Sequence, residues 1–236
     1  MSDKTKIILM YVGIAIFAAV LVAMFSFLRI AQEKREEREM ATRIATDIGK
    51  SQKGEFMRLT GDLVATNQDG ETVRVSDLKD KVWLAAGFFA ACPNCSARNG
   101  DHLVKFYQKY KDNPDFHIVC FSVDPEVDVP SRLRDYADVL NADTSNWWFL
   151  TGSQEEIHRY MEEEMKFLGV RERTDPVEIE AQGRYAHDMG VAVFGQGLVM
   201  LEKKDLFYAR EQSQEMYDHF EALLTNALDK GLAEKK

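Results

Sequence analysis

Two regimes of hydrophobic patterning divide the chain. From Ile7 to Leu28 it reads IILMYVGIAIFAAVLVAMFSFL, 22 residues without a charge. About 20 apolar residues span a bilayer core as a helix, so 7–28 predicts a transmembrane anchor behind a short flank, 1–6. A cleaved signal peptide carries a shorter apolar stretch and a small-residue cleavage site. Neither is evident, which favours a retained anchor. Residues 29–55 are dense in charge and predict a helical stalk, in which Met40, Ile44 and Ile48 fall four apart as a thin apolar stripe. A solvated helix continuing from the span accounts for that stripe; the alternative is a contact helix for a membrane partner.

From residue 56 to about 230 the pattern changes to short apolar runs alternating with amphipathic segments, followed by a tail, 231–236. LVAT (63–66) and TVRV (72–75) flank Asp69-Gly70, a hairpin signal. VWLAAGFFAA (82–91) is almost wholly apolar and predicts a central strand buried on both faces. A helix is expected from about Cys95 to Lys111, a second buried strand at HIVCFSV (117–123), and a helix from Pro130 to about Asn141. WWFL (147–150) predicts a third strand. Ser153 followed by Glu156 fits a capping box that opens a helix to about Leu168. Residues 169–193 show no regular period. GLVMLEK (197–203) and LFYA (206–209) predict a terminal hairpin, and 213–230 a last amphipathic helix. Strands alternating with helices predict an α/β fold, a sheet flanked by helices, with one transmembrane helix in front.

Composition narrows the functional classes. The 236 residues are 45% hydrophobic with 14 Gly and 5 Pro, which excludes collagen-like and low-complexity chains. A formal net charge of −9 argues against a nucleic-acid partner, which requires a basic face. Three cysteines are too few for a disulfide-stapled miniature domain.

Cys92-Pro93-Asn94-Cys95 falls where the central strand gives way to a helix, the thioredoxin-like arrangement. Free N–H groups at a helix start stabilise a thiolate, the reactive form of cysteine. Cys92 is therefore assigned as the attacking thiolate and Cys95 as the resolving thiol. The alternative is an inert structural disulfide. Cys120 alternates within an apolar strand and reads as a core residue. No second Cys-x-x-Cys accompanies the first, so a closed four-ligand zinc site is not expected. Among the five histidines, His102 and His158 read as helix-surface residues, His117 opens a strand and His219 lies in the last helix. His187, in the irregular stretch, is the one candidate for a distant metal ligand; an ordinary loop histidine is the simpler reading.

These residues resemble a known family. KVWLAAGFFAACPNC is similar to the strand and cysteine turn of the Sco/SenC proteins, thioredoxin-fold assembly factors of cytochrome c oxidase. FSVDPEVDVPSRLRDYAD (121–138) resembles that family's Ser-Val-Asp-Pro-Glu-x-Asp-x-Pro signature, and WWFLTG (147–152) a further block. The resemblance covers roughly residues 60–209. It implies that Asp124, Pro125, Asp128 and Pro130 shape the loop after the second strand. Two departures stand out. The family has three residues between its cysteines, whereas this chain has Pro93 and Asn94. The family also has a copper-ligand histidine just before the strand that GLVMLEK resembles, and Phe194-Gly195 stands there.

Soft thiolates suit Cu(I), so Cys92 and Cys95 offer two ligands, with His187 the candidate third. Without an imidazole the site is expected to bind copper weakly, leaving thiol–disulfide exchange at an oxidase copper site as the leading function. A Cu(I) metallochaperone is the second reading. A non-enzymatic accessory subunit of a membrane respiratory complex is the third. The resemblance implies a cytochrome c oxidase subunit or another respiratory-complex protein as partner. It also implies a single-pass protein of a cell inner membrane with its soluble domain on the periplasmic side. The basic residues argue the other way: Lys4 and Lys6 precede the span, while Arg29, Lys34, Arg35, Arg38 and Arg43 follow it.

Overall fold

The computed structural model describes Tyr11, Phe17, Met24, Phe25, residues 57–92 and residues 99–234. The chain divides into two units, 1–55 and 56–236. In the first unit the four described residues are helical and exposed. The expected stalk, 29–55, and the rest of the expected anchor, 7–28, lie outside the described residues. Among the described residues no helix is long and apolar enough to cross a membrane.

The second unit runs β1 (Met57–Arg58), β2 (Val64–Thr66), β3 (Thr72–Arg74), a 3-10 turn (Val75–Leu78), β4 (Val82–Phe88) and α1 (Asp101–Tyr110). It continues with β5 (Phe116–Ser122), α2 (Pro130–Leu140), β6 (Trp147–Leu150) and α3 (Gln154–Arg159), which runs into a π-helical turn (Tyr160–Glu164). Then come β7 (Arg171–Glu172), α4 (Pro176–Gln182), β8 (Tyr185–Ala186), β9 (Val191–Gly195), β10 (Val199–Lys204), α5 (Leu206–Gln212) and α6 (Gln214–Glu234). The main sheet has the order β1-β10-β9-β4-β5-β6. β4, β5 and β6 are parallel; β9 pairs antiparallel with β4, β10 with β9, and β1 with β10. This is an α/β fold with the sheet flanked by helices, as the alternation predicts.

Period-two alternation sends successive side chains of one strand to opposite faces. Val82, Leu84, Ala86 and Phe88 therefore join the core beneath α1, α2 and α6. Trp83, Ala85 and Phe89 join the opposite core with Ile157, Met161 and Leu78. Both faces are covered, so β4 and β5 are buried at every position. In α6 the apolar positions Tyr217, Phe220, Leu224 and Leu228 recur at helical spacing and close one face. The β2–β3 hairpin forms a separate small sheet tied on by reciprocal Thr66–Thr151 backbone hydrogen bonds of 2.8 Å.

Three expectations need correction. GLVMLEK and LFYA do not pair with each other: β10 pairs with β9, and LFYA is the start of α5. The cause is Asp205, whose side chain accepts a hydrogen bond from the Tyr208 N–H and caps a helix, while Leu206 and Ala209 turn inward. The stretch 169–193 is not irregular but holds β7, α4, β8 and the start of β9. The helix opened by Ser153 ends at Glu164 rather than Leu168, because Lys166 adopts a left-handed conformation (φ 54°) while Met165 and Phe167 turn into the core. Ser153 does cap it, accepting from the Glu156 N–H at 3.4 Å.

Candidate functional site

β4 delivers the cysteine turn. Its last residues divide between the two cores, and the Cys92 N–H then donates to the Phe89 carbonyl at 3.0 Å, folding the chain back. Cys92 is half-buried and disulfide-bonded. Cys95 lies outside the described residues, as does the chain from 93 to 98. The description resumes at Asn99, with α1 beginning at Asp101.

The loop after β5 fastens this turn from one side. Asp128 is 1% exposed and its carboxylate accepts from the Ser122 hydroxyl at 2.6 Å and from the Ala90 N–H at 3.1 Å. Ala90 is two residues ahead of Cys92, so Asp128 ties the loop directly to the approach of the cysteine. Burial pushes its carboxyl above the usual range, opposed by those two hydrogen bonds and by Arg132. Asp124 is buried beside Arg184, at 3.7 Å, and its backbone carbonyl accepts from the Val127 and Asp128 N–H groups. The Asp128 carboxylate and the Asp124 backbone carbonyl shape the loop, as expected of the 121–138 segment.

The opposite side is built by residues 187–190. β9 runs antiparallel to β4 with Trp83 opposite Phe194 and Ala86 opposite Val191. The chain therefore enters β9 beside the point where it leaves β4. His187 packs edge-on against Phe89, ring centroids 5.9 Å apart, three residues ahead of Cys92. Its Nδ1 donates to the Asp188 carbonyl at 2.8 Å. With that proton on Nδ1 the lone pair stands on Nε2, the arrangement a metal-ligating imidazole adopts. Gly87 makes the approach feasible: a Cβ there would lie 2.7 Å from Met161 Cε and 3.4 Å from His187 Nδ1.

Phe194, which occupies the family's histidine position as read from the sequence, lies inside the sheet. It is fully buried and stacks on Trp83 at 4.2 Å. The loop packed on the cysteine strand is thus the one before β9, not the one before β10. Among the described residues no three His, Cys, Asp or Glu side chains group so as to hold a metal ion.

Cys120 is a core residue, as expected. It is buried and free, accepts from the Trp147 indole N–H at 3.4 Å, and burial pushes its thiol up to about 12. His102 is not a surface residue, and His158 is half-buried. His102 is buried under α6 with Nδ1 3.3 Å from the Tyr217 hydroxyl, and His158 Nε2 donates to the Val123 carbonyl at 2.9 Å. Sequence reasoning also missed Asn99, whose side-chain amide donates to the Met189 carbonyl and joins the segment after the cysteines to the His187 loop. It missed Asp188 as well, although Asp188-Met189-Gly190 carries an Asx-turn signal. Behind the turn a cavity of about 20 Å³, lined by Gly87, Asn99, Cys120 and Met189, has room for one water and no organic substrate.

The comparisons agree with this architecture. The SCO1/SenC family matches residues 51–225. A SCO1 protein homolog of Bacillus subtilis (strain 168) is 41% identical over 96 residues, 40% of this chain and 50% of that protein. The chain thus aligns with about half the length of the curated relative it matches. A SCO1/SenC family lipoprotein from Bacillus anthracis str. Ames superposes with a TM-score of 0.58 at 26% identity, covering 74% of this chain and 98% of that one. BsSco, a member of the Sco family of cytochrome c oxidase assembly proteins in which a disulfide switch was identified, gives 0.55 at 27% identity over 73% and 95%. Bradyrhizobium japonicum ScoI, solved with copper bound, shares the fold at 18% identity and a TM-score of 0.53, covering 72% of this chain and 99% of that one. The matched span takes in the cysteine turn, the Asp128 loop and the His187 loop, and the chain belongs to the SCO1/SenC family.

Proposed function

We propose that this chain acts in cytochrome c oxidase assembly through a Cys92–Cys95 dithiol/disulfide pair, and that the reduced pair, with His187, takes Cu(I) as cargo. BsSco, an oxidase assembly protein with a disulfide switch, supports the first part. The disulfide-bonded state of Cys92 supports it too. The observation that carries the second part is the packing of His187 on Phe89 at the exit of β4. From the sequence His187 reads as a distant ligand in an irregular stretch. Instead the His187 loop is bounded by β8 and β9 and lies against the cysteine strand.

The donor set fits the cargo. Cu(I) is soft and accepts thiolate and imidazole ligands; Cys92 and Cys95 would supply sulfur and His187 Nε2 the nitrogen. In exchange chemistry the Cys92 thiolate attacks a partner disulfide, forming a mixed disulfide and releasing one partner thiolate. The Cys95 thiolate then displaces the second partner thiolate and closes the Cys92–Cys95 disulfide. Two electrons pass to the partner, which becomes a dithiol, and the reverse sequence oxidises it.

The apolar run 7–28 supports a single-pass anchor in a cell inner membrane, and the redox pair supports a periplasmic location for the domain. Large domains translocate regardless of flanking charge, so the basic residues after the span do not override that reading.

The test is Cu(I) partitioned between the reduced full-length protein in detergent and a chromogenic chelator. One-to-one binding is expected, abolished in Cys92→Ser and weakened at least tenfold in His187→Ala. Two thiolates alone, with Phe194 at the histidine's place, predict weak binding that His187→Ala leaves unchanged. That result would remove His187 from the site.

A further inference from the structure

The loop that carries His187 is fastened at each of its residues. His187 Nδ1 is held by the Asp188 carbonyl. The Asp188 carboxylate, 7% exposed, accepts from the Gly190 N–H at 2.7 Å through Oδ1. Through Oδ2 it accepts from the Leu168 N–H at 2.9 Å and from the Lys203 ammonium at 2.7 Å. The Met189 carbonyl is taken by the Asn99 amide. Lys203 lies on β10 opposite Ala192 of β9, and its ammonium also donates to the Lys166 carbonyl at 2.7 Å and sits 4.7 Å above the Phe167 ring. At Gly190 a Cβ would stand 2.8 Å from Asp188 Oδ1 and 3.1 Å from Lys203 Cγ, so the loop closes on this pair only with glycine there.

We propose that Asp188 and Lys203 are positioning residues for the metal-ligand imidazole: their ion pair fixes the peptide whose carbonyl sets the His187 ring. The inference rests on the reading of His187 as a Cu(I) ligand and deepens it. A largely buried carboxylate is retained only when its charge is paired and its lone pairs are used. Here one ammonium and two N–H groups do both, through short charge-assisted bonds. The ammonium also bridges to the 166–168 turn, so a single cation clamps three segments: β10, the turn after the π-helical segment, and the His187 loop. None of these residues would ligate the copper. Its effect is transmitted through the orientation of one carbonyl, and the partners that orient metal ligands carry a large share of a site's affinity.

The experiment uses the reduced full-length protein in detergent, with Cu(I) and a chromogenic chelator. Lys203→Met keeps the aliphatic stem beside Gly190 and removes the charge. It is expected to weaken Cu(I) about 10–100-fold, and Lys203→Arg to recover most of the loss. The nitrogen contribution to the Cu(I) X-ray absorption fine structure should fall in Lys203→Met and return in Lys203→Arg, a readout that general loosening of the fold does not separate in this way. Should Lys203→Met melt below the assay temperature, Asp188→Asn, which keeps the volume and an acceptor oxygen, carries the same test. Wild-type affinity in the clasp variant, beside a loss in His187→Ala, would overturn the positioning role alone. Wild-type affinity in His187→Ala would overturn the ligand reading and the positioning role together.

Discussion

Truncation of Asp128 should destabilise the domain and loosen the cysteine turn together. The carboxylate accepts from the Ser122 hydroxyl at 2.6 Å and the Ala90 N–H at 3.1 Å, and is 1% exposed. A hydrogen bond to a charged group contributes about 1.5–3 kcal/mol. Asp128→Ala removes two and strands the buried Ser122 hydroxyl and the part-buried Ala90 N–H, but it also recovers the desolvation that raises this carboxyl's pKa. The net expected loss is about 2–4 kcal/mol. Asp128→Asn keeps an acceptor for the Ala90 N–H and can donate to Ser122 Oγ, so it should cost only about 1 kcal/mol. Urea denaturation of the oxidised protein measures both. Iodoacetamide labelling of the reduced protein follows the turn, and Cys92 should react faster in Asp128→Ala. A double-mutant cycle with Ser122→Ala should show coupling, because the same hydrogen bond is removed twice. An Asp128→Ala variant within about 0.5 kcal/mol of wild type, or one more stable than Asp128→Asn, would refute the reasoning.

Three further outcomes are expected. His117 is buried, and burial first, then the Lys81 charge, lowers its pKa to about 4 from 6.5, so it is neutral in the fold while the unfolded chain takes up a proton. Its contribution is therefore complete above pH 6.5 and is lost as pH falls toward 4. The loss amounts to about 3 kcal/mol, and urea midpoints of His117→Phe should fall less between pH 7 and 4 than those of wild type. Limiting alkylation of the reduced native protein should label Cys92 before Cys95 and leave Cys120 unmodified, and prompt labelling of Cys120 would contradict its burial. A C-terminal alkaline phosphatase fusion should be active if the domain is periplasmic, whereas activity of a cytoplasmic reporter instead would vindicate the flanking charges.

The parts of the fold readable from sequence are those whose burial is symmetric. β4 and β5 are buried at every position and β6 at all but Trp148, so they appear as largely apolar runs, and α2 announces itself through Pro130 at its start. The place of Cys92 is readable for the same reason, since it follows the most apolar strand. β9 was missed because Val191–Gly195 is only five residues long and follows Gly190. That omission left Phe194, a buried strand residue stacked on Trp83, reading as part of the approach to the next strand. LFYA looked like a strand because its residues are apolar and aromatic; the capping carboxylate of Asp205 outweighs that preference. His102 was misread because its burial comes from α6, more than a hundred residues away, and a helix's own period does not reveal what lies over its edge.

The antiparallel register of β4 and β9 has a consequence for how this domain tolerates change in length. The exit of one strand and the entry of the other are neighbours only because Trp83 faces Phe194 and Ala86 faces Val191. Adding or removing one residue in the four-residue run 187–190 would displace the imidazole by up to about 3.5 Å, one residue of chain, and break the Asp188–Gly190 turn. The segment 171–183, with its surface helix and short strand, stands outside that ruler and can lengthen or shorten while the strand ends stay in place. Relatives should therefore vary in length there and keep a constant count between the histidine and the first core residue of β9, and an engineered reporter loop belongs at 174–182 rather than nearer the site.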